Sequence, residues 1–189
     1  MKNNAIYFIT SSAKKFAELE EWLAQLNPHI HLEQRNLDLP EIQSLDLREV
    51  AIAKAKDAWR KLEHPLLIDD AGLFLQKYPL FPGTLTKLIR PAIGIEGILC
   101  LAGSNRNASF RNCLVYIESL DTYYVFEGIT HGTLIDPGDD KEKSVGSYDV
   151  FVPEGYDKVF AALLTSDQLP DFHYRYIAFK KFIDWYCSR

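Results

Sequence analysis

The stretch Leu66-Leu67-Ile68-Asp69-Asp70-Ala71-Gly72-Leu73 decides how the rest of the chain is read, because in it an apolar β-type run meets two adjacent acids. A buried parallel strand reads as a continuous apolar run, and open α/β sheets gather ligands just beyond the carboxyl ends of such strands. The run is therefore expected to stop at the acids, leaving them at the mouth of a cleft. Strand geometry sends Asp69 and Asp70 in opposite directions, so one can face the cleft while the other faces a neighbouring strand or loop. The rival reading is a plain turn, in which an Asp caps the following residues and Gly72 supplies a left-handed conformation. Taken alone, the stretch leaves the two readings level.

Upstream, Ser44 or Asp46 is expected to start a long helix with Leu47, Ala51, Ala55, Ala58 and Leu62 on its apolar face and Asp46 and Glu49 in its first turn. Lys54 and Lys56 project elsewhere and read as solvated charge. Before it, residues 36–44 form a loop around Pro40 and Glu41, and residues 30–33 a short strand. At the start of the chain a β-type run over residues 5–10 leads through Thr10, Ser11 and Ser12 into Phe16, Leu19, Leu23 and Leu26, one face of a helix. The turn hydroxyls can cap that helix. Its free N–H groups can also hold an anion, with Lys14 or Lys15 adding charge. For the turn in isolation, a capped helix with solvated lysines is the simpler reading.

Downstream, residues 78–84 read as a turn-rich loop, with Thr84 able to cap a short helix carrying Lys87 and Arg90 and a second helix over residues 95–102. Two β-prone runs, 109–118 and 123–135, flank residues 119–122 as a hairpin that could build a second lobe. Residues 137–143 are a polar loop, residues 146–153 are extended, and Gly155 makes a turn. A short helix is expected over residues 158–164. A terminal helix over 172–187 carries Tyr176, Phe179, Ile183 and Tyr186 on one face, a stripe that reads as core packing, with His173 and Arg175 beside it.

At 189 residues the chain is most simply one domain, residues 1–189, long enough to bury a proper core and to form two lobes. Its 3 cysteines are odd in number and far apart, which suits reduced thiols in the cytosol. The N-terminal run is too short for a signal peptide or a membrane span, so a soluble cytoplasmic protein is expected. A net charge of -5 argues against non-specific nucleic-acid binding. It leaves open a nucleotide carrying a divalent cation, held by local lysines beside acidic ligands.

The segments ITSSAKKFAE (residues 9–18), LPEIQS (39–44), IDDAGL (68–73), FPG (81–83), FEG (126–128) and FVPEG (151–155) stand in an order that resembles the inosine triphosphate pyrophosphatase family. The resemblance implies an α/β fold, an elongated mixed β-sheet with flanking helices forming two lobes around a central cleft, and a homodimer. It implies Mg²⁺-dependent cleavage of non-standard purine nucleoside triphosphates (ITP, dITP, XTP) to monophosphate and pyrophosphate. Thr10, Ser12 and Lys15 would cradle the phosphates, Ser12 standing where the family has Asn. Glu41 and Asp70 would hold Mg²⁺, and Asp70 would serve as general base, with Asp69 supporting it through the turn or a neighbouring lysine. Lys15 and Lys87 would stabilise developing negative charge, and Ala71 would join the substrate contacts.

The C-terminal motifs depart from the family pattern. Tyr148 would stack on the purine and Asp149 bind its edge, although the register slips by one residue at Gly146-Ser147-Tyr148-Asp149. The family's Glu-Lys pair is here Asp167-Gln168, and its Ser-His-Arg is His173-Tyr174-Arg175, keeping only Arg175. These departures keep two rival readings open. One is a Maf-like pyrophosphatase with a different base preference; the other is a nucleotide-binding protein that has lost catalysis.

Overall fold

In the computed structural model, residues 5–137 and 146–189 are described. Residues 1–4, and all but the first residue of the expected polar loop at 137–143, lie outside them. The strands are β1 (Ile6–Ile9), β2 (Leu32–Arg35), β3 (Leu66–Leu75), β4 (Tyr78–Gly83), β5 (Asn107–Ser119), β6 (Thr122–Leu134) and β7 (Phe151–Pro153). They make one seven-stranded mixed sheet in the order β2-β1-β3-β5-β6-β7, with β4 paired to β3. The helices are α1 (Ala13–Leu26), α2 (Leu47–Leu62), α3 (Thr86–Ala102), α4 (Phe160–Leu163), α5 (Leu169–Phe172) and α6 (Tyr174–Cys187). The α/β class and the mixed sheet are as expected.

The opening stretch folds differently from either reading. β3 does not stop at its acids but runs straight through them, paired antiparallel with β5 from Leu66 to Leu75. What stops is its other neighbour. β1 lies parallel to β3 only along Leu66, Leu67 and Ile68, and β4 joins the same edge only from Leu73 onward. Among the described residues, no strand lies beside residues 69–72 on that edge, and this gap in the sheet is where the cleft opens. Gly72 takes no left-handed conformation. It is needed because a Cβ there would stand 2.1 Å from the Gly83 carbonyl oxygen, where β4 crosses close.

Residues 78–83 are strand β4 rather than a loop. Pro79 and Pro82 are tolerated because β4 is an edge strand, paired with β3 alone. Thr84 does not cap the next helix. Leu85 holds the N-cap position of α3, and the Thr84 hydroxyl donates to the Ser44 carbonyl instead, at 2.6 Å. α3 breaks at Gly94 (φ 67°), which separates the two expected helices. β2 begins two residues later than expected. Residues 146–153 contain a single 3₁₀ turn, Ser147–Asp149, before β7. The β5–β6 hairpin, the turn at Gly155 (φ 85°) and the terminal helix form as expected.

Alternation along β3 sorts the core. Leu67 faces α1 and α6, packing with Leu19, Trp22, Phe179 and Phe182, while Leu66 and Ile68 face Ala51, Ala55 and Ala58 of α2. Beyond the gap, Leu73 and Leu75 join Phe110, Phe151, Phe160 and the second half of α3. Each fully buried Leu or Phe contributes about 1.5–3 kcal/mol relative to exposure. The same alternation carries Asp69 to the α1/α6 side and Asp70 to the α2 side. Among the described residues, no helix is long and apolar enough to cross a membrane.

Candidate active site

A cleft of about 630 Å³ opens at the gap in β3. Every site residue expected from the sequence lines it: Thr10, Ser12, Lys15, Glu41, Asp70, Ala71, Lys87, Tyr148, Asp149 and Arg175. They come from six separate segments.

The turn between β1 and α1 supplies the first group. Ser12 is the N-cap of α1, its hydroxyl accepting from the Lys15 N–H at 3.2 Å, and its own N–H donates to the Thr10 hydroxyl at 3.1 Å. This is the capped helix of the simpler reading, but Lys15 is not merely solvated. Its ammonium lies 3.0 Å from Asp69 Oδ1. Asp69, with a side chain only 1 % exposed, also accepts from Arg175 Nε at 3.1 Å and Asn112 Nδ2 at 2.9 Å. Burial alone would raise its pKa, but Lys15 and Arg175 outweigh burial and hold the carboxyl well below the usual carboxylate range. Arg175 Nη1 reaches on to Glu18 Oε2 at 2.8 Å.

Asp70 sits in a different environment. Lys54 of α2 donates to its Oδ2 at 2.7 Å, and the same ammonium is 3.1 Å from Glu41 Oε2. Its Oδ1 accepts from the Ala71 N–H at 2.9 Å. Burial, helped by the charges of Asp69 and Glu41, raises the pKa of Asp70 in spite of Lys54. Two adjacent acids thus have pKa values pushed in opposite directions, a pattern that marks acid–base sites.

The far end of the cleft is aromatic. Tyr148 stacks on Phe160 at 4.3 Å between centroids and meets Phe110 edge-on at 5.1 Å, while its hydroxyl bonds that of Tyr174. Asp149 is exposed, and its carboxylate accepts the Gly146 N–H at 2.7 Å, closing the 3₁₀ turn. Arg175 is set by the start of α6, where His173 Nδ1 accepts the Arg175 N–H at 3.2 Å.

That helix start lies directly on β6. A Cβ on Gly128 would stand 1.8 Å from the Tyr174 carbonyl oxygen and 2.9 Å from the Ala178 nitrogen. Gly128→Ala must therefore lift the N-terminus of α6, and Arg175 with it. Denaturant unfolding is expected to register a loss of about 3 kcal/mol, the upper part of the range for overpacking. A loss below a few tenths would mean that α6 yields freely.

The sequence profile of one family matches residues 6–185, nearly the whole chain. The chain belongs to the Ham1 family. Its relatives include the dITP/XTP pyrophosphatase of Methanopyrus kandleri, 32% identical over 183 residues, covering 96% of this chain and 95% of that one. That of Methanothermobacter marburgensis is 34% identical over 185 residues, again 96% and 95%. The inosine triphosphate pyrophosphatase of Saccharomyces cerevisiae is 33% identical over 143 residues, 71% of this chain and 73% of its own. Among solved structures, the Ham1 protein of Staphylococcus aureus superposes with a TM-score of 0.75 at 20% identity, covering 96% of this chain and 98% of that one. The Ham1 fold is thereby shown, and the family resemblance read from the ordered motifs is borne out.

Sequence reasoning missed Lys54, which lines this Ham1 cleft, and two residues that support the lining from behind, Asn112 and Glu18. Lys54, read as solvated charge, is 16 % exposed and bridges two carboxylates. The signal lay in its spacing, since position 54 falls between Ala51 and Ala58 on the apolar face of α2. Asn112 interrupts the apolar run of β5, and its amide holds both Asp69 and the Asp70 carbonyl, the latter at 3.1 Å. Glu18 follows Lys15 by one helical turn and pairs with Arg175.

Proposed function

We propose that the chain hydrolyses non-standard purine nucleoside triphosphates of the dITP/XTP type to monophosphate and pyrophosphate, with Mg²⁺ as cofactor. The observation that carries this reading is the pair Glu41 and Asp70, brought within reach of one cation at the lysine-rich end of a cleft whose other end is aromatic. The donor set fits a hard cation. Lys54 Nζ marks a point shared by two carboxylates, and Mg²⁺ is held by one or two carboxylates together with phosphate oxygens and waters. When bound by Glu41 and Asp70, Mg²⁺ would draw charge from the phosphates and acidify a water.

The chain's own groups do the rest. Lys15, Lys87 and Arg175 bind the phosphates and neutralise charge as it develops, and the first N–H groups of α1 add their partial charge. Asp70 lines the cleft, where its carboxylate can take a proton from the attacking water. Asp69 stays ionised and anchors Lys15 and Arg175. Tyr148, Tyr174 and Phe110 bound the space for the base. On the same footing we read the chain as one domain of two lobes, since β3 and β5 run through both. We read it also as a cytoplasmic homodimer, with the exposed Leu80 on β4 and Leu88 on α3 as surface that a second copy would cover.

Pyrophosphate release from ITP, dITP, XTP, ATP, GTP, UTP and dTTP, with and without Mg²⁺, tests the reading. ITP, dITP and XTP, whose bases lack the exocyclic amino groups of adenine and guanine, are expected to be preferred over the standard nucleotides by tenfold or more in kcat/KM, and turnover to need the metal. Faster use of UTP or dTTP would favour a Maf-like specificity. Tight binding of ITP by calorimetry with no turnover of any triphosphate would mean that catalysis has been lost.

A further inference from the structure

The position of Lys54 has a consequence for the order in which the cleft fills. Its ammonium stands 3.1 Å from Glu41 Oε2 and 2.7 Å from Asp70 Oδ2, within direct ion-pair range of both. The lysine and Asp70 are each only 16 % exposed, so this contact is poorly screened by solvent, whereas Glu41 is 44 % exposed on its loop. α2 fixes the lysine stem, because Ala51, Ala55 and Ala58 are completely buried against the sheet. The three groups together carry a net charge of -1 instead of the -2 that two free carboxylates would offer a divalent cation.

We propose that Lys54 is an internal counter-ion that competes with the metal for Glu41 and Asp70, so that metal and triphosphate bind this cleft cooperatively. The inference rests on the reading of Glu41 and Asp70 as metal ligands. A divalent cation arriving alone must displace the ammonium, or sit beside it, with no new partner for the lysine's charge. A triphosphate supplies that partner: its oxygens take over Lys54, and both carboxylates are released toward the metal. Linkage makes the effect reciprocal, so metal tightens nucleotide binding by the same factor that nucleotide tightens metal binding. Lys54 acts here through the ligands it occupies and is a positioning residue for the metal, whatever contact it makes with phosphate.

The test needs no turnover. Mn²⁺ binding is followed by electron paramagnetic resonance, with and without a non-hydrolysable ITP analogue, for the wild type, Lys54→Met and Lys54→Arg. Methionine keeps most of the stem and removes the charge; arginine keeps the charge. The wild type is expected to bind Mn²⁺ weakly alone and, with the analogue, at least about tenfold more tightly than the analogue itself holds Mn²⁺ in buffer, within the usual range of coupling between sites. Lys54→Met should bind Mn²⁺ alone at least tenfold more tightly than the wild type and lose most of the analogue's enhancement, while Lys54→Arg should stay close to the wild type. Equal affinity for Mn²⁺ alone in the wild type and a folded Lys54→Met overturns the proposal and leaves the metal reading standing. Should Lys54→Met unfold, Lys54→Gln takes its place: the same tenfold gain in affinity for Mn²⁺ alone is expected, and equal affinity overturns the proposal. No Mn²⁺ binding by any variant, with or without the analogue, overturns both.

Discussion

Asp70→Asn is expected to lower kcat by roughly 10²–10³, the size of effect seen when one electrostatic contact to the reacting group is removed, and to leave the stability of the fold within about 1 kcal/mol of the wild type. The second half of the expectation separates a chemical role from a structural one. Asparagine keeps the volume of Asp70 and an oxygen for the Ala71 N–H. Burial works against the charge of Asp70, raising its pKa, so removing that charge relieves a penalty; against this, Lys54 loses the carboxylate at 2.7 Å and keeps Glu41 at 3.1 Å, and the two effects largely offset. Pyrophosphate release paired with thermal unfolding at pH 7 reads both quantities. A melting temperature several degrees below the wild type would assign Asp70 to the scaffold, and unchanged turnover would remove it from the chemistry.

Asp69→Ala should do the reverse and strike the fold. It would leave Arg175, buried beside it, with Glu18 at 2.8 Å as its remaining carboxylate, and Lys15 without its partner at 3.0 Å. Breaking a buried ion pair from one side costs about 3–5 kcal/mol when the remaining charge is uncompensated, and the Glu18 contact places the expected loss at the lower end of that range. Asp69→Asn, which retains an acceptor, should lose less. The pH dependence follows from the direction of each shift. The Asp69 carboxyl is depressed, so its stabilisation is present above the ordinary carboxylate pKa of 3.8 and disappears as pH falls through the depressed value. His173 acts earlier. Burial, with Arg175 nearby, lowers its pKa from 6.5 to about 3, so stability is complete above pH 6.5 and declines as acid drives the buried imidazole toward its charged form. Protonation would also remove the Nδ1 lone pair that caps α6. Denaturant unfolding from pH 8 to pH 3 should therefore weaken in both the wild type and Asp69→Ala between pH 6.5 and 4, and below that only the wild type should add the Asp69 contribution.

Much of this arrangement could be read before any coordinates. The helical faces of α1, α2 and α6 and the β5–β6 hairpin announce themselves through apolar periodicity, and the ordered motifs bring every expected site residue to one cleft. The failures share a physical cause. A carboxylate inside a strand reads as the strand's end because its cost is met only by partners far away in sequence: Lys15, 54 positions before Asp69, and Arg175, 106 after it. The proline-rich edge strand β4 reads as a loop because local preference outweighs a pairing supplied by β3. Lys54 reads as solvated because a charged residue on an apolar helix face needs a buried acid opposite, and Asp70 lies 16 residues further on. Local pattern thus located the elements, and long-range electrostatics decided what the polar residues among them do.

The gap along β3 also sets the mechanics of the molecule. β3 passes beneath the cleft without interruption, backed by β5 along its whole length, so the walls are joined by continuous hydrogen-bonded ribbon rather than by a flexible connector. Any narrowing of the cleft around a ligand has to be a twist or bend of that ribbon, a deformation opposed by every rung of the ladder. The opening should behave as a stiff spring with small excursions about one width, its compliance concentrated in residues 69–72, where a single neighbouring strand carries the load.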